Sequence, residues 1–192
     1  MVLKNPKEYE VGKTIVYFVR HGERESQSIE NSRIPGPGLT EKGKIEAKYI
    51  ANSFKKIGKE VDIIYTSSML RAQQTAEYIS KAIHKKIHVC DELSEFNKFV
   101  WRGKIYHPKF WKHYSKYLRA QKCFDEILKK QKGKVIVIVA HGNIMKGLIG
   151  KKMKVDFKHR GMLGYNNCYV SKLQFSGLKF DYMQYYNSKE II

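Results

Sequence analysis

The run TIVYFV at residues 14–19 is β-branched and aromatic with no polar alternation. A strand with one wet face alternates apolar and polar residues, so an unbroken run suits a parallel strand covered on both faces. Parallel neighbours cannot be joined by tight hairpins and need crossover segments, usually helices. The run therefore commits the chain to a layered architecture, and the rest of the sequence supplies the layers.

After the turn-rich Pro35-Gly36-Pro37-Gly38, Thr40 reads as a helix N-cap, and Ile45, Tyr49, Ile50, Phe54 and Ile57 recur near helical spacing until Gly58. Val61 to Tyr65 is a second apolar strand, with Ser67 or Ser68 as cap of a helix bearing Met69, Ala72, Ala76, Ile79 and Ile83. Ile87 to Cys90 is a short strand. From Pro108, the residues Phe110, Tyr114, Tyr117, Gln121, Phe124 and Leu128 mark a long basic helix. KVIVIVA at 134–140 is the clearest strand in the chain and ends at His141, with Ile144, Leu148 and Ile149 on a following helix. Tyr169 to Phe175 and Leu178 to Tyr182, about Ser176-Gly177, predict a terminal hairpin. Such alternation indicates a three-layer α/β fold with a mostly parallel central sheet, helices on both faces and a C-terminal β-hairpin. No repeat or linker divides the chain, and 192 residues with 42% hydrophobic content suit one core, hence a single domain over 1–192.

The first residues hold no apolar stretch of signal-peptide length, and none elsewhere approaches a membrane span, so the expectation is a soluble, cytoplasmic protein. Cys90, Cys123 and Cys168 are odd in number and widely spaced without a CxxC, which argues against a disulfide framework or zinc knuckle and for reduced, inert thiols. His84, His88 and Cys90 have a spacing open to a metal reading, but they straddle a helix-strand junction and lack a fourth ligand, so exposed side chains are expected. Thirty-seven basic residues against 18 acidic give a net charge of +19, which favours anionic partners without saying which. Nucleic acid is one such partner, though not the favoured one. Compositional bias accounts for the charge about as well as a functional role does. Trp101, Tyr106, Phe110, Trp111, His113, Tyr114 and Tyr117 could line a cap over a substrate or stack on bases, but at helical spacing most belong to a core.

The chemistry-bearing residues fall just after strands. Arg20 and His21 end the first, Arg71 lies in the first turn of the helix after the second, Glu95 follows the third, and His141 ends KVIVIVA. Open α/β sheets bind ligands beyond the carboxyl ends of parallel strands, so these five residues would meet at one crevice. Two arginines can neutralise a phosphate monoester, and a neutral imidazole whose other nitrogen is fixed as a donor can attack phosphorus. His21 is the candidate nucleophile. One carboxyl group can protonate the leaving alkoxide and then take a proton from water, which is the role expected of Glu95. His141 would donate to the phosphoryl oxygens, with the Gly142 and Asn143 N–H groups adding anion-binding capacity at a helix start.

These residues resemble the histidine phosphatase superfamily, also called phosphoglycerate-mutase-like. RHGER at 20–24 is similar to its signature, PGLTEKGKIEA at 37–47 to its "PLTxxGxxQA" segment, and IYTSSMLRAQQTAEYI at 64–79 to its second block. LSEFNKFVWRG at 93–103 resembles the acid-bearing loop, and VIVIVAHGN at 135–143 the last block. The resemblance implies a Rossmann-like core without metal or organic cofactor, a phosphorylated nucleophile at His21, a pocket completed by Arg20, Arg71 and His141, and a proton donor at Glu95. It also implies a phosphorylated substrate, a small ester or a phosphoprotein, and Arg24 as a further phosphate contact.

Departures from the family pattern bear on substrate. Gln27 stands where many members have asparagine, Asn97-Lys98 replaces a His-x-Gly kind of sequence, and Arg102 replaces the glutamate of WEG. Only Lys104 to Gly133 fills the interval that is longer in phosphoglycerate mutases, so a small lid should let water reach a phosphorylated intermediate. A phosphatase is expected, with mutase as the within-class alternative. A phosphate- or nucleic-acid-binding module without turnover is the alternative of another class, and it would show steeply salt-dependent affinity.

Overall fold

In a computed structural model, residues 12–26, 35–96 and 110–186 are described. Within them, six strands form one sheet in the order β3-β2-β4-β1-β5-β6. The strands are β1 Thr14–Arg20, β2 Ile63–Thr66, β3 Ile87–Val89, β4 Val135–Ala140, β5 Val170–Ser176 and β6 Lys179–Tyr186. The first four are mutually parallel, with Phe18 of β1 beside Ile138 of β4, and Tyr65 of β2 beside Ile138 on its other side. β5 closes the other edge of β1 antiparallel and continues into β6, turning at Gly177 with φ +62°. The expected hairpin and mostly parallel sheet are both present.

Among the described residues four α-helices flank the sheet: α1 Glu41–Phe54, α2 Leu70–Ile83, α3 Phe110–Lys130 and α4 Gly142–Lys152. Successive side chains of a strand point to opposite faces, and β1 shows what this does here. Ile15, Tyr17 and Val19 join the cluster containing Ile50 and Phe54 of α1 and Ala76 and Ile79 of α2. Val16 and Phe18 join the opposite cluster, with Tyr117 and Phe124 of α3 and Ile144 and Leu148 of α4. Two cores, each between the sheet and a helix pair, make the three layers.

Two local expectations change. Ile45 and Tyr49 do not lie on the buried stripe of α1; they are 70% and 39% exposed, while Gly43, Ala47, Ile50, Ala51 and Phe54 are buried. Small residues at 43, 47 and 51 let α1 approach closely, which rotates the larger pair outward. Nor does a serine side chain cap α2. Its N-cap is Met69 in extended conformation, and Ser67 and Ser68 are engaged elsewhere. Thr40 does cap α1, its Oγ1 accepting the Gly43 N–H at 3.0 Å.

Candidate active site

The carboxyl ends of β1, β4 and β2 open into a cavity of about 920 Å³ lined by Arg20, His21, Arg24, Arg71, Glu95 and Asn143, among others. Residues far apart in sequence meet there because parallel strands all end on the same edge.

His21 is 4% exposed and held in one orientation. Its Nδ1 lies 2.7 Å from the Gly22 carbonyl oxygen. A carbonyl only accepts, so Nδ1 carries the proton and the Nε2 lone pair is left available. That lone pair accepts from Arg71 Nε at 3.2 Å. Burial, and then the Arg71 charge, push the His21 imidazole down to about 3. It is a neutral base at physiological pH.

The turn that presents His21 depends on a backbone contact that sequence reasoning missed. A Cβ on Gly22 would sit 2.4 Å from the Gly43 carbonyl oxygen, and one on Gly43 would sit 2.0 Å from that of Glu23. The first turn of α1 thus rests directly on the residues after His21. Gly22 N–H donates to Thr75 Oγ1 at 3.1 Å, and the Thr40 N–H donates to the Glu23 carbonyl at 3.0 Å. The glycine in PGLTEKG was the available signal.

Both arginines are partly enclosed. Burial pushes Arg71 down to about 10 and lowers Arg20, with Glu95 opposing the shift in each. Arg20 donates through one terminal nitrogen to the Tyr165 carbonyl, and its Nε is buried without a hydrogen-bond partner among the described residues. Gly142 lies against this guanidinium, where a Cβ would be 3.5 Å from Nε.

His141 is fully buried, its ring centroid 5.0 Å from that of His21. Burial, then the neighbouring His21 and Arg71, hold it well below the ordinary imidazole value. Ser67 Oγ lies 2.6 Å from Nε2, and Nδ1 is buried without a partner among the described residues. Ser67 also accepts the Met69 N–H at 3.3 Å.

Glu95 docks on the start of α4. Its Oε2 accepts the Asn143 N–H, and its Oε1 the N–H groups of Ile144 and Phe96, each at 3.1 Å. Burial raises this carboxyl group, against the lowering effect of the Asn143, Phe96 and Ile144 N–H groups. The Asn143 N–H therefore serves the carboxylate rather than a phosphate, and the Asn143 side chain donates to the Phe96 carbonyl at 3.1 Å. The sequence suggested anion binding at this helix start, and the group found there is the protein's own Glu95 carboxyl.

Arg24 stands at the exposed rim, donating to the Glu25 carbonyl at 3.1 Å, next to its β-bridge with Leu39. Gln27, Asn97, Lys98, Trp101, Arg102 and Tyr106 lie outside the described residues. From α3, His113 and Lys116 reach the cavity wall. Trp111 is 65% exposed, whereas Tyr117 is core.

The family model for the histidine phosphatase superfamily (branch 1) matches residues 16–118 and 111–188. The chain belongs to the histidine phosphatase superfamily. The chain is 30% identical over 171 residues to a 2,3-bisphosphoglycerate-dependent phosphoglycerate mutase of Bartonella bacilliformis, covering 69% of this chain and 78% of that one. It is 23% identical over 177 residues to phosphoserine phosphatase 1 of Hydrogenobacter thermophilus, covering 80% and 83%. Among solved structures, a phosphoserine phosphatase of Entamoeba histolytica in complex with 3-phosphoglyceric acid superposes with TM-score 0.71 at 20% identity, over 93% of this chain and all of that one. The histidine phosphatase fold expected from the resemblance is thus the fold observed. Among the described residues no helix is long and apolar enough to cross a membrane.

Proposed function

We propose that this histidine phosphatase superfamily member hydrolyses phosphomonoesters through a phosphohistidine on Nε2 of His21. The observation that carries the reading is the imidazole itself: Nδ1 bound to the Gly22 carbonyl, and the Nε2 lone pair facing Arg71 across the cavity. Arg71 and Arg20 would transfer their donors to the phosphoryl oxygens, stabilising charge where it accumulates. Ser67 would donate to His141 Nε2, leaving the imidazole proton on Nδ1 to reach the same oxygens.

In the first step Nε2 attacks phosphorus, the ester P–O bond breaks, and the Glu95 carboxyl group protonates the leaving alkoxide. In the second, water attacks phosphorus, the P–N bond breaks, and the Glu95 carboxylate takes the proton from water. Burial favours the protonated form needed first, and the N–H groups at the start of α4 favour the anion needed second. Neither step routes a proton or the phosphoryl group through a metal. Arg24 at the rim would hold a distal anionic part of the ester.

The test is hydrolysis of a generic phosphomonoester by wild-type protein and His21→Ala, with acid-labile label trapped on histidine after a rapid quench. Full activity in the variant would overturn the reading. The 30% identity to a phosphoglycerate mutase favours a second reading. Phosphoglycerate interconversion faster than phosphate release would establish it.

A further inference from the structure

Away from the phosphate cavity, the structure joins two cysteines that are 33 residues apart in sequence. Cys90 follows β3, Cys123 lies on α3, and their Sγ atoms are 2.8 Å apart. Cys90 Sγ also lies 3.2 Å from Glu92 Oε2. The two sulfurs and a Glu92 carboxylate oxygen all fall within 4.8 Å of one another. They line a cavity of about 670 Å³ whose walls include His88, Asp91 and Glu126. We propose that Cys90, Cys123 and Glu92 form a binding site for a thiophilic divalent cation of the zinc class, with a fourth position open to water.

Charge distinguishes a cation site from an oxidisable pair. In a chain carrying +19, the cavity at these thiols is lined by three carboxylates, Asp91, Glu92 and Glu126, against one ammonium, Lys130. A carboxylate beside a thiol opposes thiolate formation and so slows oxidation. A divalent cation relieves that conflict by offsetting two of the three negative charges of the thiolates and the carboxylate.

Two thiolates and one carboxylate match a soft or borderline metal rather than calcium or magnesium, and three protein ligands with an open position are a familiar zinc arrangement. Zn–S bonds of about 2.3 Å at the tetrahedral angle separate two sulfurs by about 3.8 Å. A side-chain rotation opening the pair by about 1 Å suffices. The bound ion would tie α3 to the 3₁₀ turn Asp91–Leu93, two residues before Glu95. His84 and His88, weighed with Cys90 on sequence grounds, are not ligands here; His84 caps α2 in the left-handed region at φ 56°.

The test uses the full chain, reduced and stripped of metal, titrated with Co²⁺. The expected result is saturation at one equivalent, with a thiolate-to-cobalt charge-transfer band, tetrahedral visible absorption and release of about two protons. Zn²⁺ should displace the cobalt. Cys90→Ser and Cys123→Ser should each weaken binding about 100-fold, and Glu92→Gln about tenfold with the band retained. His21→Ala should bind as wild type, so the outcome is independent of the phosphatase reading. As a readout needing no variant, Zn²⁺ should protect Cys90 and Cys123 from maleimide labelling. Absence of the band in reduced wild-type protein, its persistence in both serine variants, or lack of protection would overturn the proposal. A Cys90–Cys123 disulfide formed in air by protein that takes up no cobalt once reduced would also overturn it.

Discussion

Ser67 Oγ lies 2.6 Å from Nε2 of His141, a buried contact that joins the end of β2 to the end of β4, and in the proposed mechanism the serine donates here so that the imidazole proton sits on Nδ1. Ser67→Ala leaves a buried nitrogen unsatisfied and frees the other tautomer. The expected loss in kcat/KM is about tenfold, the scale of one buried hydrogen bond. Nitrogen-15 NMR of the His141 ring should show Nδ1 protonated in wild-type protein and a tautomer mixture in the variant. Ser67→Thr should restore both the rate and the spectrum.

Glu95→Gln cannot supply a proton. Hydrolysis of alkyl phosphates should fall 10²–10³-fold, on the order expected for a general acid. An aryl ester with a good leaving group needs no proton in the first step and should lose far less in the phosphorylation burst. Equal losses for both esters would remove Glu95 from the acid role.

His21 and His141 are both held neutral, which ties stability to pH. The unfolded chain binds protons at the ordinary imidazole value near 6.5, whereas folded His21 binds one only near 3. Across that window the unfolded state holds more protons, so stability falls as the pH drops. The slope is at most about 1.4 kcal/mol per pH unit for each histidine. Urea unfolding at pH 7 and pH 5 should show the loss in wild-type protein and a smaller one in His21→Ala.

Gly43→Ala places a methyl group 2.0 Å from the Glu23 carbonyl oxygen, a backbone atom that cannot rotate away. The expected destabilisation is about 2–3 kcal/mol, typical of overpacking, read as a lower urea midpoint with an unchanged slope. Gly142→Ala, whose Cβ would have Arg20 side-chain atoms as its three nearest neighbours at ordinary contact distance, should fold normally.

The sequence made the framework legible where one cause dominates. Unbroken apolar runs gave β1 and β4, and the order of strand ends brought Arg20, His21, Arg71 and Glu95 to one cavity, with His141 packed against His21 behind it. It was less informative where close contact decides. Ile45 and Tyr49 fit a helical period, but the glycine and alanines beside them select the buried face of α1. Ser67 looked like a helix cap because nothing local reveals a histidine 74 positions away. Asn143 looked free to bind phosphate, since only the folded loop brings Glu95 to its N–H. Cys90 and Cys123 looked isolated for the same reason.

Glu95 on the start of α4 has a mechanical consequence. His141 is the N-cap of that helix, and the next N–H groups hold the carboxylate. His141 and Glu95 therefore ride on one rigid piece, and neither can shift without the other. On the proposed mechanism, substrates of different size would then be accommodated by the rest of the cavity lining, to which α3 contributes His113 and Lys116. Remodelling that lining should change which ester is accepted while leaving the spacing between acid and phosphate site intact.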